Sequence, residues 1–380
     1  MKSSAIVGIG FVGRAHLDAL RRLAIPVRGI LSSTPDRARQ AAAAFGLPCA
    51  YESLDQLAGD SEVRAVHLCT PNHLHFAAAG RLLRAGKHVL SEKPLALDSQ
   101  ESGMLVELAC ETNLVGAVAY NLRYYPLCQE VRARIASGQI GEPRLVHGSF
   151  LQDWLLRPED WNWRLDPRQG GELRAVSDIG THWLDLVSWA TGCKVREVCA
   201  DLATVVPVRR RPRGHVETFK SAASGDFEEI PVTTEDYASV LLGLEKGLRG
   251  AMTVSQVSAG RKARLWFEID GSESSLAWDS ESPNTLWIGR RSEPIQELLK
   301  DPSLLSDTAR PFAAYPGGHA EGYPDTFVQL FRQFYDYLDA ANFSAPRPFP
   351  TFETGHEALL VSEAIAKSAA GRRWVSVEPG

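Results

Sequence analysis

Ala5-Ile6-Val7-Gly8-Ile9-Gly10-Phe11-Val12-Gly13 stands at the head of the chain, and its reading decides the fold of the N-terminal third. Residues 5–9 are a short apolar run, which predicts a buried strand. Residues 12–24 follow with Leu17, Leu20 and Leu23 at helical spacing, so a helix is expected directly after the glycines. A GxGxxG between a strand and a helix marks a phosphate-cradling turn. Gly8 permits the tight turn, Gly10 lets the backbone approach a pyrophosphate, and Gly13 allows close helix–strand packing. The helix start at Phe11 and Val12 then offers N–H groups and the positive end of a dipole to the anion.

Outward from this turn, strand and helix alternate. Residues 27–31 predict a second strand. Thr34-Pro35 offers an N-cap with Pro at the first helical position, residues 36–45 continue as helix, and Gly46 stops it. Residues 63–69 and 88–90 are further strands around a helix at 73–85, Asp98 caps a helix to about residue 113, and 114–119 is the last strand. Strict alternation implies βαβ crossovers and a parallel sheet. The expectation is a Rossmann α/β domain over residues 1–122. A ribose-binding acid is expected about 20 residues after the glycines. Leu31-Ser32-Ser33-Thr34 holds none, and Arg37 follows. The hydroxyls of Ser32 and Ser33 accept a 2′-phosphate and Arg37 balances its charge, so the sequence tilts towards NADP(H) over NAD(H).

The pattern changes after residue 123. A helix is expected over 126–137, then strand-like runs at 144–150, 195–206, 237–244, 247–257, 263–270 and 274–278, joined mostly by short turns. Short connections indicate antiparallel pairing. Helices at 181–190, 324–341 and 351–370 complete an α+β domain over residues 123–380. The polar stretch 207–230, with Arg209-Arg210-Arg211-Pro212-Arg213, reads as a solvated loop in preference to an anion patch.

The chain has 380 residues, 44% hydrophobic and 23% charged, with a net charge of -5. Two domains can each bury a core at this length. The acidic balance argues against nucleic acid, because no excess of cations exists to neutralise phosphates. No apolar run is long enough for a membrane span, and the N-terminus is too interrupted for a signal peptide. The six cysteines show no CxxC spacing, so neither a metal site nor a disulfide framework is expected, and reduced thiols fit a cytoplasmic protein.

Three further segments carry a resemblance: Thr70-Pro71-Asn72-His73-Leu74-His75, Ser91-Glu92-Lys93-Pro94, and Gly170-Gly171-Glu172-Leu173 followed by Ser177-Asp178-Ile179-Gly180-Thr181-His182. In this order, after an N-terminal GxGxxG, the chain resembles the glucose–fructose oxidoreductase / inositol dehydrogenase / rhizopine-catabolism (Gfo/Idh/MocA) family over most of its length. The resemblance implies an open, mostly antiparallel C-terminal sheet whose exposed face assembles homodimers or homotetramers. It implies that Lys93 of Glu-Lys-Pro, Asp178 and His182 are catalytic. It places Thr70, Pro71, Asn72, His75 and Glu92 along the cofactor cleft, and Trp163-Arg164 against the nicotinamide. The sequence departs from the family at Arg174-Ala175-Val176-Ser177 and at the missing ribose acid.

The chemistry fits these residues. Oxidising a secondary alcohol needs a hydride acceptor, a base and a positive group near the developing alkoxide. A cofactor carries the hydride. His182, with an unperturbed pKa of about 6.5, suits the proton. Asp178, at i and i+4 with it on a helix, is expected to orient the imidazole or bind substrate. Lys93 is expected at the C-terminal end of a parallel strand, where such sheets bind ligands. Trp154, Trp161 and Trp163, with Asp153, Asn162 and Arg164, suit a sugar pocket. His319 and Glu321, in a polar loop before a helix, are expected to reach it, while Asp185 reads as structural. The expected activity is dehydrogenation or reduction of a sugar, inositol or related polyol. A redox-neutral, NAD-dependent glycoside hydrolase and a non-catalytic dinucleotide or sugar sensor are the alternatives.

Overall fold

In the computed structural model, which describes residues 3–213 and 227–378, the apolar run before the glycines is strand β1 (Ser3–Val7) and helix α1 (Phe11–Arg22) follows. The expected alternation continues through β2 (Val27–Leu31), α2 (Pro35–Phe45), β3 (Cys49–Tyr51), α3 (Leu54–Gly59), β4 (Val63–Leu68), α4 (His75–Arg84), β5 (His88–Ser91), α5 (Ser99–Glu111) and β6 (Gly116–Val118). All pairs are parallel, in the order β3-β2-β1-β4-β5-β6. Its local signals act as expected. Thr34 Oγ1 accepts the Arg37 N–H at 3.2 Å, Gly46 ends α2 at φ 61°, and Asp98 Oδ1 accepts the Glu101 N–H at 2.8 Å. The pair β3–α3, a three-residue edge strand and a helix capped by Ser53, is absent from the sequence reading.

The second layer starts with α6 (Pro126–Ala136) and β7 (Pro143–Leu151), followed by the single turn α7 (Pro167–Gly170) and by α8 (Thr181–Thr191). Then come β8 (Val195–Ala203), β9 (Val208–Pro212), β10 (Phe227–Pro231), β11 (Tyr237–Leu244), β12 (Arg249–Ser255), β13 (Arg264–Gly271), β14 (Ser275–Asp279), β15 (Thr285–Gly289) and β16 (Gln296–Leu299). Helices α9 (Tyr323–Ala340) and α10 (Phe352–Gly371) and strand β17 (Val375–Ser376) close the chain. Nine strands run in the order β16-β15-β14-β13-β7-β12-β11-β8-β17, antiparallel except for β7 beside β12. Period-two burial gives the sheet two unlike faces. Val146, Val240, Val254, Phe267 and Trp278 are buried under α6, α8 and α10, whereas Leu145 and Leu241 on the other face are half exposed.

α9 leaves this layer. Its Phe327, Leu330, Phe331 and Phe334 are buried with Ile6, Leu17 and Leu20 of the first layer, and α9 packs along α1. α10 touches both layers: Thr351 bridges Ala117 of β6, and the helix lies against α5 and β8. The two sheets are therefore joined by helices on either side of the cleft that holds the site.

The stretch read as a solvated loop is instead a hairpin, where it is described. β9 pairs antiparallel with β10, setting Arg211 opposite Glu228 and Arg210 opposite Glu229. Arg209 is fully buried, and its Nη2 lies 2.6 Å from Asp236 Oδ1. Residues 214–226 of that stretch lie outside the described residues. Among the described residues no helix is long and apolar enough to cross a membrane.

Candidate functional site

The glycine turn sits between β1 and α1 with the geometry its sequence demands. Gly8 has φ +92°, and a Cβ there would collide with the Cys69 carbonyl. A Cβ on Gly13 would strike the Gly8 carbonyl, so this glycine sets the approach of α1 to the strand. Gly10 is different: nothing lies within 4 Å of the Cβ position. That open side, at a helix start with no side-chain cap and no acid in its first turn, is a cradle for an anion. Phe11 is 51% exposed and stacks on Tyr323 of α9 at 6.4 Å. Ser32, Ser33 and Arg37 gather at the end of β2, where Arg37 Nη1 donates to Ser33 Oγ at 3.3 Å.

The loops after β4 and β5 lie next to this turn. Thr70 Oγ1 is buried without a hydrogen-bond partner. Beyond Pro71, Asn72 Nδ2 donates to the Gly170 carbonyl at 2.9 Å and ties the Gly-Gly segment to the first layer. His75 does not line the cleft. It is fully buried, with Nδ1 2.8 Å from the Pro94 carbonyl and Nε2 2.9 Å from the Thr70 carbonyl, so it braces both loops from behind. Glu92 is held at both oxygens: Oε1 lies 3.1 Å from His16 Nε2, and Oε2 accepts the Lys93 N–H at 3.2 Å.

Lys93 and Asp178 meet across the two layers. Lys93 Nζ donates to the Asp178 carbonyl at 2.7 Å and to Asp178 Oδ1 at 3.0 Å. Arg164 Nε also donates to Oδ1, at 2.9 Å, and Gln256 Nε2 donates to Oδ2 at 2.8 Å. Burial pushes the Asp178 carboxyl up, but the Arg164 and Lys93 charges outweigh it and hold the carboxyl well below its ordinary range.

Of the two roles expected of Asp178, orienting the imidazole is not what its contacts show. Residues Val176–Gly180 form a π turn leading into α8, not regular α-helix. The wider turn breaks the i, i+4 alignment, and the carboxylate faces Lys93, Arg164 and Gln256 rather than bonding to the imidazole. His182 Nδ1 is buried with no hydrogen-bond partner. Its ring stands edge-on to Tyr120 at 5.7 Å. Nor does it keep an ordinary pKa: burial first, and the Lys93 charge second, push it down to about 3, against a smaller upward pull from Glu92 and Asp178.

The tryptophan-rich segment divides. The Arg164 guanidinium lies 4.3 Å from the Trp163 ring centre and 6.0 Å from that of Trp154, which brings both rings to the edge of the charged group. Trp154 also packs with Trp161 on Leu155, Leu165 and Val232, and its Nε1 donates to Gln152. Asp153 is taken by Lys262 at 2.7 Å, and Asn162 caps the turn that starts at Trp163. His319 is not joined to the cluster: it is exposed, and its Nδ1 faces the Gly317 carbonyl of its own loop. Glu321 is buried on Lys300 at 2.8 Å and holds that loop, as Asp185 holds Arg123.

Three residues near the cluster went unnoticed in the sequence. Gln256 is a lone glutamine after β12. Tyr323 begins α9, and the Glu92, Asp178 and Arg164 charges all act on its hydroxyl. Tyr120 follows β6. None belongs to a local motif, because each is brought in by a different element.

Comparison with known proteins gives the following. Residues 2–120 match the model of an oxidoreductase family with an NAD-binding Rossmann fold, and residues 128–277 match the GFO/IDH/MocA C-terminal domain. The chain is 32% identical over 397 residues to 1,5-anhydro-D-fructose reductase of Ensifer adhaerens, covering 100% of both chains. It is 28% identical over 385 residues to levoglucosan dehydrogenase of Pseudarthrobacter phenanthrenivorans, covering 98% of this chain and 97% of that protein. A solved structure of levoglucosan dehydrogenase in complex with NADH and L-sorbose superposes with a TM-score of 0.89 at 27% identity, covering 100% of this chain and 99% of that one.

Proposed function

The chain belongs to the Gfo/Idh/MocA oxidoreductase family, and from that premise we propose that it is an NAD(P)-dependent dehydrogenase or reductase acting on a secondary alcohol or ketone of a sugar, inositol or related polyol. The observation that carries this reading is the meeting of Lys93, Asp178 and His182 beside an open glycine turn. A nicotinamide dinucleotide, when bound, supplies the hydride acceptor or donor. Gly8, Gly10, Phe11, Val12 and Gly13 would hold its pyrophosphate. Thr70, Pro71, Asn72 and Glu92 would flank its middle, and Trp163 and Arg164 its nicotinamide end.

The chain's own residues do the rest. The Lys93 ammonium has three N–H groups. Two point at Asp178, and the third is left for a substrate oxygen. A positive donor there favours the alkoxide character of the transition state. Asp178, fixed by three donors, keeps that ammonium from swinging away. His182 is a neutral imidazole above about pH 3 and takes the hydroxyl proton. Its low basicity suffices, because the oxygen loses nearly all affinity for the proton as it becomes a carbonyl. Trp154 and Trp163 offer ring faces to the C–H groups of a sugar.

Ser32, Ser33 and Arg37 favour NADP(H) over NAD(H) at the adenosine end, since they stand where a 2′-phosphate-excluding acid would be. The open face of the nine-stranded sheet, with Leu145, Leu241, Trp266 and Trp287, is the surface through which a homodimer or homotetramer would form. The free cysteines fit a reducing, cytoplasmic setting.

The test is a panel of anhydrosugars, hexoses and inositols, each with NAD⁺ and NADP⁺, followed by absorbance of the reduced nicotinamide. Turnover on at least one, faster with NADP⁺, is expected. Silence on every member, with dinucleotide binding intact by calorimetry, would transfer the assignment to a redox-neutral hydrolase or a sensor.

A further inference from the structure

Behind the glycine turn runs a row of buried polar groups that the proposed chemistry does not use. Glu92 Oε1 lies 3.1 Å from His16 Nε2, His16 Nδ1 lies 3.0 Å from His67 Nδ1, and His67 Nε2 lies 2.9 Å from the Tyr335 hydroxyl. Both histidines have no exposed surface, and the rings of Phe327, Phe331 and Phe334 enclose them. α1, β4, α9 and the end of β5 contribute one member each, so no local folding preference explains the alignment.

The row has a direction. A carboxylate only accepts, so the His16 proton sits on Nε2. In the neutral ring His16 Nδ1 is then a lone pair, and His67, kept neutral by burial, donates to it from Nδ1. The Cys69 thiol, kept protonated by burial, lies 3.3 Å from the same nitrogen, whose one in-plane lone pair the His67 N–H takes. His67 Nε2 is left as an acceptor for the Tyr335 hydroxyl, which burial also keeps protonated. Each ring is thus confined to one tautomer.

We propose that the row Tyr335–His67–His16–Glu92 is a positioning relay, whose hydrogen bonds all point at the pocket and fix Glu92 as an immobile carboxylate beneath Lys93 and His182. It rests on the oxidoreductase reading of that pocket. Glu92 is faced by His16 from α1, Cys69 after β4, His75 from α4, Lys93 beside it, Tyr120 after β6, His182 from α8 and Tyr323 from α9. Its negative charge draws a proton to His182, against the repulsion of the Lys93 ammonium. Protonating Glu92 would turn the charged hydrogen bond from His16 Nε2–H into a weaker neutral one, so the row favours the ionised carboxylate.

The decisive measurement needs no substrate. The Glu92 carboxyl carbon and the ring nitrogens of His16 and His67 are followed by NMR from about pH 8 to about pH 3 in wild type, His67→Phe and His67→Asn. Phe keeps a ring among the phenylalanines but removes both nitrogens; Asn keeps an N–H able to reach His16 Nδ1. Near neutral pH wild type should show His16 protonated at Nε2 and His67 at Nδ1, and Glu92 should titrate below the ordinary carboxylate range. In His67→Phe the Glu92 titration should rise by about half to one pH unit, at most the worth of the one neutral hydrogen bond removed, and His67→Asn should restore it. On the best substrate, kcat of His67→Phe should fall towards acid pH where wild type does not. Wild-type His67 protonated at Nε2, or Glu92 titrating alike in wild type and His67→Phe, would overturn the relay. If His67→Phe does not fold, the wild-type tautomers decide. If no substrate turns over, the oxidoreductase reading fails while the NMR still judges the relay.

Discussion

Replacing Lys93 with methionine tests the site at its centre. Methionine keeps the unbranched stem and removes the ammonium. The Asp178 carboxylate retains Arg164 Nε and Gln256 Nε2, at 2.9 and 2.8 Å, so no buried charge is left without a partner and the fold should survive. All three N–H groups disappear, and of these only the one not engaged by Asp178 is available to the reacting oxygen. Removing one pre-oriented donor to a developing oxyanion costs about 3–4 kcal/mol, or a factor of about 100 to 1000 in kcat. Cofactor affinity should change little, since Lys93 does not build the glycine cradle. A second consequence is independent of turnover. Lys93 is the second-largest cause of the low His182 pKa, so that pKa should move up from about 3 yet stay below 6.5, because burial, the largest cause, remains. The assays are saturating kinetics in absorbance and imidazole titration by NMR. If kcat in Lys93→Met stays within about tenfold of wild type, Lys93 does not touch the reacting oxygen and the proposed chemistry is wrong.

The other predictions follow from single contacts. Gly10→Leu points into open space, so its melting temperature should match wild type while dinucleotide Kd rises by about tenfold or more; unchanged affinity would place the pyrophosphate elsewhere. Arg37→Ala should lower the preference for NADP⁺ by about tenfold, the loss of one charged hydrogen bond, and an unchanged ratio would remove Arg37 from the cofactor. Asp236→Asn strips the shared anion from Arg174 and Arg209, all three fully buried. Urea unfolding should show a loss of about 3–5 kcal/mol, and a change under about 1 kcal/mol would mean the guanidinia find other partners. His88 is buried and pushed down to about 4, first by burial and then by Arg64. Its unfolded form titrates at about 6.5, so the unfolded state binds the proton first as pH falls. Stability should therefore be full above about 6.5 and decline by on the order of 3 kcal/mol towards about pH 4. His88→Gln should flatten that decline, and an identical slope would refute the assignment.

The sequence announced the first layer because its signals are local. A glycine that must take φ +92°, a threonine cap followed by proline, and apolar residues at helical spacing are each readable within a few residues. β3 escaped because three residues carry too little pattern, and of Cys49, Ala50 and Tyr51 only Tyr51 is buried. The hairpin of β9 and β10 escaped for a different reason. A run of arginines looks solvated when read alone, yet Arg210 and Arg211 lie opposite Glu229 and Glu228 on a strand that begins many residues later. Cross-strand charge matching of this kind is a stabilising pairing that only the register reveals.

The site shows the same division between local and remote causes. Motifs named Lys93, Asp178 and His182 correctly as neighbours, because each lies in a short signature. They did not show what holds Asp178. The role of Asp178 depends on Arg164, on Gln256 after β12, and on a π turn that no spacing rule announces. That turn is itself held from outside: Glu235 accepts the N–H groups of Arg174 and Val176, and Arg174 in turn is paired with Asp236, the partner of Arg209 in β9. The unusual Arg174-Ala175-Val176-Ser177 segment thus has a structural cause, and the arginine run misread as a loop is one of its anchors. A charge placed at Asp236 fixes the backbone that aims the Asp178 carboxylate at Lys93. It follows that Asp236→Asn, chosen above as a stability variant, should also loosen the Lys93–Asp178 contact, lowering kcat in the fraction that remains folded while leaving dinucleotide affinity, set by the glycine turn in the other layer, as it was.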